Sequence, residues 1–391
     1  MNRVGRSVAV ALWAGGLVLI AACPVGASPS ATNVDHWGGF FGDKDRANSD
    51  ELKAPTSMSL PGKVAEVATS NSSEYALLTN GTVYAWGQGD HGELGNGEDA
   101  NSFTTAVQVE FPAGVTIASL PTDAMPYDTA MAVDTNGNVW GWGLNSAGQL
   151  CLGASGEQAL PVELPLSGVT ALAGAGDHAL YDAAGTVYAC GGNHNGDLGD
   201  GSTTASRTPV KVIGLPASGI ETLVAAYENS GALTSTGAYY DWGLNSEGQL
   251  GDGSLTPSST PVLVNLGHAV SQVVQGGSIG VNGQTLARLT NGNLFAWGDD
   301  KRAQLGDGGS STYQESPVRI ILPSGVHFVM LATGGQTSYG ITPGGNVYAW
   351  GDNGSGQLGS GTGYGLATTP VLVDSGATLI SATANNVVVG R

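Results

Sequence analysis

One motif recurs six times along the chain, and it limits the folds that the chain can adopt. The motif consists of an apolar run, a Trp-Gly pair, a polar stretch and a segment like GQLG, as in VYAWGQGDHGELGNG at 83–97. Successive anchor positions are 56, 48, 52, 55 and 53 residues apart and are occupied by Trp86, Trp142, Cys190, Trp242, Trp297 and Trp350. A period of about fifty residues predicts a repeat architecture in which each unit packs against its neighbours.

Each unit carries the strand and turn signals of one small sheet. In the first unit, EYALLTNGTVYAW at 74–86 places Asn80-Gly81 between two apolar runs, which predicts a β-hairpin with a type I′ turn. Segments such as TVYAW are apolar at consecutive positions, as expected for a sheet that neighbouring sheets cover on both faces. A TPV or SPV segment then opens a fourth strand, where a proline on the sheet edge costs no ladder hydrogen bond.

The two ends of the chain supply the halves of one more unit. NVDHWGGFFG at 33–42 matches the second half of the repeat, and TLISATANNVVVG at 378–390 matches the first half. Together they complete a seventh unit, with about 51 residues in each repeat. We therefore predict an all-β fold, a single seven-bladed β-propeller over residues 33–391 with four-stranded blades. N-terminal strands close the last blade and remove the exposed sheet edges.

The first 27 residues predict export from the cell. Two arginines precede an apolar run that ends at Ala22, and small residues follow, as in a secretory signal peptide over 1–27. The run is shorter than the roughly 20 residues of a membrane-spanning helix, so we predict no membrane span. An alternative is a bacterial lipoprotein signal over 1–22, because LIAAC would leave Cys23 as a lipidated N-terminus. The expected location is extracellular or on the bacterial cell surface.

The charge of the chain excludes several classes of partner. Removal of Arg3 and Arg6 with the signal leaves 32 acids and 11 bases, which changes the formal net charge from −19 to −21. Binding to nucleic acid or to anionic membranes depends on clustered Lys and Arg, so we predict neither. The acidity is typical of a protein that stays soluble outside the cell. We expect a monomer whose partner is a protein or a glycan.

No motif predicts catalysis, a cofactor or a metal. NHNGDLGDG at 193–201 resembles a calcium loop, but Asp197 occupies a repeat position at which four units carry glutamine, a poor calcium ligand. We interpret the polar side chains of this loop as stabilising its turns. His178 has no counterpart in the other units and no nucleophile motif accompanies it, so we expect a packed histidine rather than a catalytic one.

Cys151 and Cys190 both depart from the repeat pattern. Cys151 replaces the last glycine of the GQLG segment, and Cys190 replaces the tryptophan of the next unit. In an exported chain that has lost its signal they are the two remaining cysteines, so a disulfide between neighbouring blades is one interpretation. Two buried free thiols are the other, because the sequence does not place the two Cα atoms within bonding range.

The positions at which the units disagree are the candidates for binding. Just before the first strand of each hairpin, four units read SSEY, PYDT, GDH and AYEN. These segments fall on one propeller face, and aromatic residues beside acids suit recognition of a partner. The predicted contact residues are Tyr127, Asp128, Asp177, His178, Tyr227 and Glu228. A second off-pattern cluster at 299–302 is interpreted as solvated.

The repeat GxVYAWGxNxxGQLGxG followed by TPV resembles that of the regulator of chromosome condensation family over essentially the whole mature chain. The resemblance implies a seven-bladed propeller, a fold that hosts many functions. We expect a secreted or surface-attached binding module for a protein or glycan, without catalysis. The resemblance also implies an alternative, guanine-nucleotide exchange on a small GTPase, against which the signal and the acidic charge stand. A propeller hydrolase or lyase is a third hypothesis, which no set of converging carboxylates supports.

Overall fold

The computed structural model describes residues 33–38, 52–70, 72–121, 125, 128–278, 281–361, 365–383 and 386–391. These residues form 28 strands in seven four-stranded antiparallel sheets. Each sheet is one blade, and at five of the seven junctions the innermost strands of neighbouring blades pack closely against each other. The predicted seven-bladed β-propeller is confirmed. Within the part of the chain that the structure describes, no helix is long and apolar enough to cross a membrane.

The strands follow the chain in a regular order. The first two, which belong to blade 7, are β1 (Asn33–Gly38) and β2 (Leu52–Ser59). Blade 1 contains β3 (Val64–Thr69), β4 (Ser73–Leu78), β5 (Val83–Gly87) and β6 (Ser102–Gln108). Blade 2 contains β7 (Ile117–Ser119), β8 (Thr129–Asp134), β9 (Asn138–Gly143) and β10 (Gln158–Ser167). Blade 3 contains β11 (Val169–Ala175), β12 (His178–Ala183), β13 (Thr186–Gly191) and β14 (Ser206–Lys211).

The remaining blades repeat this arrangement. Blade 4 contains β15 (Ile220–Ala226), β16 (Asn229–Thr234), β17 (Tyr239–Gly243) and β18 (Ser258–Leu263). Blade 5 contains β19 (Val270–Ser278), β20 (Val281–Leu289), β21 (Leu294–Asp299) and β22 (Tyr313–Arg319). Blade 6 contains β23 (Met330–Thr333), β24 (Thr337–Ile341), β25 (Val347–Asp352) and β26 (Leu366–Asp374). The last two strands, β27 (Leu379–Thr383) and β28 (Asn386–Gly390), complete blade 7.

Burial follows the order of the strands within a blade. In blade 1 the second strand, SEYALL, is buried along its whole length, whereas the fourth strand, SFTTAVQ, is mostly exposed or half-buried. The inner strands are covered by the neighbouring blades on both faces, which explains why they are apolar at consecutive positions. The fourth strand forms the outer edge of the blade.

Both ends of the chain build blade 7. Its sheet has the order β2-β1-β28-β27, and β1 pairs with β28 from Val34 opposite Gly390 to Gly38 opposite Asn386. The prediction that N-terminal strands complete the last blade is confirmed. Arg391 strengthens this closure because its Nε–H donates to Asp35 Oδ2 at 2.6 Å. Its Nη2 also donates to both carboxylate oxygens of Asp374 in blade 6, at 2.8 and 2.9 Å.

The predicted type I′ turn is wrong for most of the hairpins. At Asn80-Gly81 only Gly81 has a positive φ, 83°, and its N–H donates to the carbonyl of Leu78 at 2.9 Å. This is a type I turn followed by a glycine bulge, in which one residue rather than two takes the left-handed conformation. The same bond is made by Gly137, Gly237, Gly292 and Gly345. In blade 3, Ala184 and Gly185 both have positive φ, so that hairpin does have the two-residue form expected for type I′.

Tryptophan joins neighbouring blades at five junctions through one kind of hydrogen bond. At each, the indole Nε1–H donates to a main-chain carbonyl of the preceding blade at 2.8–3.0 Å. The pairs are Trp142 with Glu93, Trp242 with Asp197, Trp297 with Gln249, Trp350 with Gln304, and Trp37 with Gln357. At the junction of blades 7 and 1, Trp86 donates instead to the carboxylate of Glu74.

A glycine of the repeat packs against each of these five indoles. A Cβ on that glycine would lie within 2.8 Å of the indole nitrogen, and its φ is positive in every case. The glycines are Gly95, Gly199, Gly251, Gly306 and Gly359. The tryptophan and the last glycine of the GQLG segment are therefore junction residues, which explains why both recur in the sequence.

The junction of blades 2 and 3 is built differently. Cys151 and Cys190 form a disulfide there, with their Cα atoms 5.5 Å apart. Of the two interpretations that the sequence left open, the structure therefore has the disulfide rather than the free thiols.

Candidate functional site

The turns that precede the second strands lie on one face of the propeller. The start of the second strand pairs with the end of the third strand, as His178 does with Gly191 and Asn229 with Gly243. The turn between the first and second strands therefore lies beside the start of the long loop that joins the third and fourth strands. We call this surface the loop face. The hairpins between the second and third strands lie on the opposite face.

The structure divides the predicted contact residues into exposed and buried ones. Asp177, Tyr227 and Glu228 lie partly exposed on the loop face. Asp128 is only 3% exposed and His178 is fully buried, so the expectation that these two line the surface is wrong for this structure. The remaining predicted contact residue, Tyr127, lies outside the described residues.

His178 packs at the junction of blades 3 and 4. Its Nε2 lies 2.8 Å from Ser230 Oγ on the second strand of the next blade. Burial lowers the pKa of this imidazole, so the ring is neutral at physiological pH. It has the position of a packed histidine that fixes one blade against another.

Asp128 has a similar role at the junction of blades 1 and 2. Its Oδ1 accepts a hydrogen bond from Ser72 Oγ in blade 1, and its backbone takes a positive φ of 46°. Burial raises the pKa of this carboxyl. The buried side chains of His178 and Asp128 therefore fix the turns of the loop face through contacts with a neighbouring blade.

Three carboxylates interact where blades 3 and 4 adjoin on the loop face, and we call Asp177, Asp197 and Glu228 the carboxylate site. Asn195 links two of them, because its N–H donates to Asp197 Oδ2 at 3.2 Å and its Nδ2 to Glu228 Oε2 at 2.5 Å. Burial raises the pKa of Asp197 to about 7, and repulsion from Glu228 and Asp177 adds to the effect. Burial and the charge of Asp177 also raise the pKa of Glu228.

A glycine makes room for the first of these carboxylates. A Cβ on Gly192 would lie 2.1 Å from Asp177 Oδ2, and the φ of Gly192 is not in the left-handed region. The reason for glycine at this position is therefore space. The equivalent residues of the other five complete units are larger and are Gln88, Leu144, Leu244, Asp299 and Asp352, whereas the half-unit at the N-terminus has Gly39. Sequence reasoning missed Gly192, although a glycine where the other five complete units have a side chain was a visible signal.

The carboxylate site has no described cationic partner. Asp197 is 1% exposed, and its Oδ1 has no hydrogen-bond partner. Among the described residues, no Lys or Arg forms an ion pair with Asp177, Asp197 or Glu228. His194 lies near enough to Glu228 for its charge to lower the pKa of that carboxyl. The site is thus a partly exposed set of hydrogen-bond acceptors with a negative charge.

The loop that resembles a calcium site stabilises its own turn. Asn193 Oδ1 accepts the N–H of Leu198 at 2.9 Å, and Asn193 Nδ2 donates to the carbonyls of Ser202 and Thr204. Asn245 makes the corresponding bonds in the next unit. Within the described ranges, no group of three or more metal-ligating side chains has the arrangement of a metal site.

The cluster at 299–302 is solvated only in part. Lys301 and Arg302 are exposed, but Asp299 and Asp300 are buried, so the interpretation of the whole cluster as solvated is wrong. Burial raises the pKa of Asp299 to about 7, and the neighbouring carboxyl of Glu247 adds to the effect. Lys301 forms an ion pair with Glu247. Asp299 is therefore part of the junction between blades 4 and 5, whereas Asp300 accepts hydrogen bonds from its own loop.

Curated relatives share the repeat over most of the chain. The ultraviolet-B receptor UVR8 of Arabidopsis thaliana is 29% identical over 334 residues, which cover 83% of this chain and 74% of the receptor. The E3 ubiquitin-protein ligase HERC2 of Homo sapiens is 28% identical over 72% of this chain, and this region is 6% of that protein.

Solved structures show the same fold at lower identity. Prp20p of Saccharomyces cerevisiae superposes with a TM-score of 0.77 at 20% identity, over 93% of this chain and 92% of Prp20p. Human WBSCR16 superposes with a TM-score of 0.78 at 19% identity, over 91% of this chain and 98% of that protein.

The family model for the repeat matches most of the blades. The regulator of chromosome condensation (RCC1) repeat matches residues 80–120, 184–233, 236–281, 291–341 and 344–388, which is more than half of the chain. A second model of the same repeat matches 127–149 and 330–357. The chain therefore belongs to the regulator of chromosome condensation (RCC1) repeat family.

Proposed function

We propose that this protein is a non-catalytic binding module that recognises a protein partner through the carboxylate site on its loop face. The observation that carries the proposal is the buried, unpartnered Oδ1 of Asp197 beneath the partly exposed Asp177 and Glu228. A set of carboxylates without a cation is complementary to a guanidinium or ammonium group, which can form charge-assisted hydrogen bonds with it. The partner is therefore expected to present Arg or Lys side chains.

The relatives support a protein rather than a glycan as the partner. Prp20p has binding properties toward Gsp1p and histones, and Kap60 has been crystallised bound to the same yeast protein. UVR8 is named as a receptor. Recognition of a glycan is the alternative, and it would rest on partly exposed aromatic side chains such as Tyr227.

We propose that the protein works outside the cell or on the bacterial cell surface. The first 27 residues support this location through their basic start and apolar run. The Cys151–Cys190 disulfide supports it as well, because disulfides persist in oxidising compartments.

Binding of a labelled arginine-glycine peptide tests the recognition of a cationic partner. Fluorescence anisotropy would compare this peptide with one in which citrulline, a neutral analogue, replaces each arginine. We expect the arginine peptide to bind and the D177N/E228Q variant to lose at least about tenfold in affinity, since each charge-assisted hydrogen bond contributes about 1.5–3 kcal/mol. The matched control is E98Q/D99N, which makes the same charge change at two exposed residues of blade 1.

A substitution without a charge change separates the site from general electrostatic attraction. Gly192→Ala would push the Asp177 carboxylate out of its place, because the new Cβ would overlap it. We expect weaker binding of the arginine peptide at unchanged net charge. Equal losses in D177N/E228Q and in the control, equal binding of the citrulline peptide, or no binding at all would each contradict the proposal.

A further inference from the structure

The junction of blades 2 and 3 lacks both residues that join blades at five other junctions. Elsewhere a glycine packs against the indole of the next blade, but here Cys151 stands at the glycine position and Cys190 at the tryptophan position. Because these two positions contact each other wherever they are glycine and tryptophan, two cysteines placed there are brought within bonding range. Cys151 keeps the positive φ of the glycine, 58°, and both cysteines are at most 1% exposed.

At five other junctions the indole also donates a hydrogen bond to the preceding blade. Between blades 2 and 3 the hydroxyl of Tyr181 donates this bond instead. Its hydroxyl donates to the main-chain carbonyl of Gln149 at 3.1 Å. This carbonyl is equivalent to those of Glu93 and Asp197, which accept from tryptophan at their own junctions. At the position of Tyr181 five other blades carry a small residue, and these are Ala76, Ala132, Ala232, Ala287 and Gly340.

Three departures from the repeat therefore form one cluster. Tyr181 is fully buried and packs with Cys151 and Cys190 in the same group of core residues. The hydroxyl of Tyr181 satisfies the carbonyl, and the disulfide supplies the contact between the blades. A buried carbonyl without a donor would cost about 1–3 kcal/mol, which explains why the tyrosine accompanies the cysteines.

We infer that the Cys151–Cys190 disulfide, together with Tyr181, replaces the tryptophan contact between blades 2 and 3 and makes this junction dependent on an oxidising environment. Reduction by a dithiol breaks the Sγ–Sγ bond. The dithiol supplies two electrons and two protons, is itself converted to a disulfide, and leaves two thiols on the protein. The reduced junction has neither the covalent bond nor the indole, and it keeps the packing and the hydrogen bond of Tyr181.

The size of the effect follows from the loop that the disulfide closes. The cysteines are 39 residues apart in the sequence. Closing a loop of this length in the unfolded chain is expected to change the unfolding equilibrium constant by about 100- to 1,000-fold. The other junctions show which residues work without a disulfide, and they therefore supply the design of a redox-independent variant.

The test compares urea unfolding of three full-length proteins with and without dithiothreitol, all carrying Cys23→Ser. They are the parent, the variant C151S/C190S, and the variant C151G/Y181A/C190W, which has the residues of the other junctions. We expect reduction to raise the unfolding constant of the parent about 100-fold or more, to the level of C151S/C190S. The C151G/Y181A/C190W variant is expected to be more stable than C151S/C190S and to be insensitive to the reductant.

Two results would overturn the inference. One is a parent protein whose unfolding is unchanged when alkylation shows that both thiols have been freed. The other is a folded C151G/Y181A/C190W variant that is no more stable than C151S/C190S. If that triple variant does not fold, Tyr181→Phe decides the role of the hydroxyl, because we expect it to raise the unfolding constant of the oxidised protein about fivefold or more. An unchanged constant for Tyr181→Phe would refute the role assigned to Tyr181.

Discussion

Replacing Glu93 by glutamine is expected to stabilise the propeller above pH 7 and to change it little near pH 4.5. Glu93 is fully buried on the loop face. One carboxylate oxygen accepts the N–H of His91 at 2.7 Å, and the other has no hydrogen-bond partner. Burial raises the pKa of Glu93 to about 7, and the nearby Asp128 adds to the effect.

The sign and size of the effect follow from this pKa. Between its ordinary value of 4.5 and about 7, the folded state keeps a proton on Glu93 that the unfolded state has released. Stability therefore falls as the pH rises through this window and stays low above it. At about 1.4 kcal/mol for each pKa unit, the loss at pH 8 amounts to about 3 kcal/mol. A glutamine has no charge to bury and avoids this loss.

The chain itself shows that glutamine fits the position. Four other units have it there, and they are Gln149, Gln249, Gln304 and Gln357. In blade 2 the side-chain oxygen of Gln149 accepts the N–H of Ala147 at 3.2 Å, as Glu93 does from His91. The Nε2 of Gln149 donates to Thr129 Oγ1 at 3.1 Å.

Urea unfolding followed by circular dichroism at half-unit steps from pH 4.5 to pH 8 measures the effect. The free energy of unfolding of Glu93→Gln should equal that of the parent near pH 4.5 and exceed it by about 3 kcal/mol at pH 8. Glu98→Gln is the control, because it makes the same chemical change at an exposed residue of the same loop. A difference that does not change with pH, or a variant that is less stable than the parent at pH 8, would refute the reasoning.

Two further substitutions test the contacts that hold the ring together. Trp242→Phe keeps an aromatic ring but loses the hydrogen bond to the Asp197 carbonyl. Calorimetry should show that the free energy of unfolding decreases by about 1 kcal/mol. An unchanged melting temperature would mean that this bond contributes nothing to stability. Arg391→Ala removes the ion pairs to Asp35 and Asp374. Because the arginine is partly exposed, we expect the free energy of unfolding to decrease by only about 1 kcal/mol. Hydrogen exchange should become faster in β1 and β28, and equal exchange would contradict a role in closure.

The sequence predicted the blades better than it predicted the turns within them. The repeat period and the two half-units were enough to predict seven blades and their closure. The Asn-Gly pair did not decide the turn type, because Asn80 stays at negative φ and only Gly81 is left-handed. In blade 3, Ala184 takes a positive φ that its side chain does not favour, and no local pattern distinguished this hairpin from the others.

Exposure at the candidate site depended on contacts that lie one repeat away. His178 and Asp128 stood at the same kind of off-pattern position as Asp177 and Glu228. Their burial depends on neighbouring blades, where Ser230 is 52 residues from His178 and Ser72 is 56 residues from Asp128. The sequence pattern of a single unit does not reveal contacts with another blade. The glycine that accommodates Asp177, in contrast, could have been found by comparing the units position by position.

The tryptophan bonds between blades have a consequence for how such a chain can change. Each indole donates to a main-chain oxygen, and every amino acid supplies that oxygen. The side chain at the accepting position can therefore be replaced without removing the bond, and here it is Glu93, Asp197 or a glutamine. Mutation can thus test new chemistry on the loop face while the scaffold below it stays intact. In a ring assembled in this way, the residues that maintain the fold and the residues that determine binding specificity can therefore evolve independently.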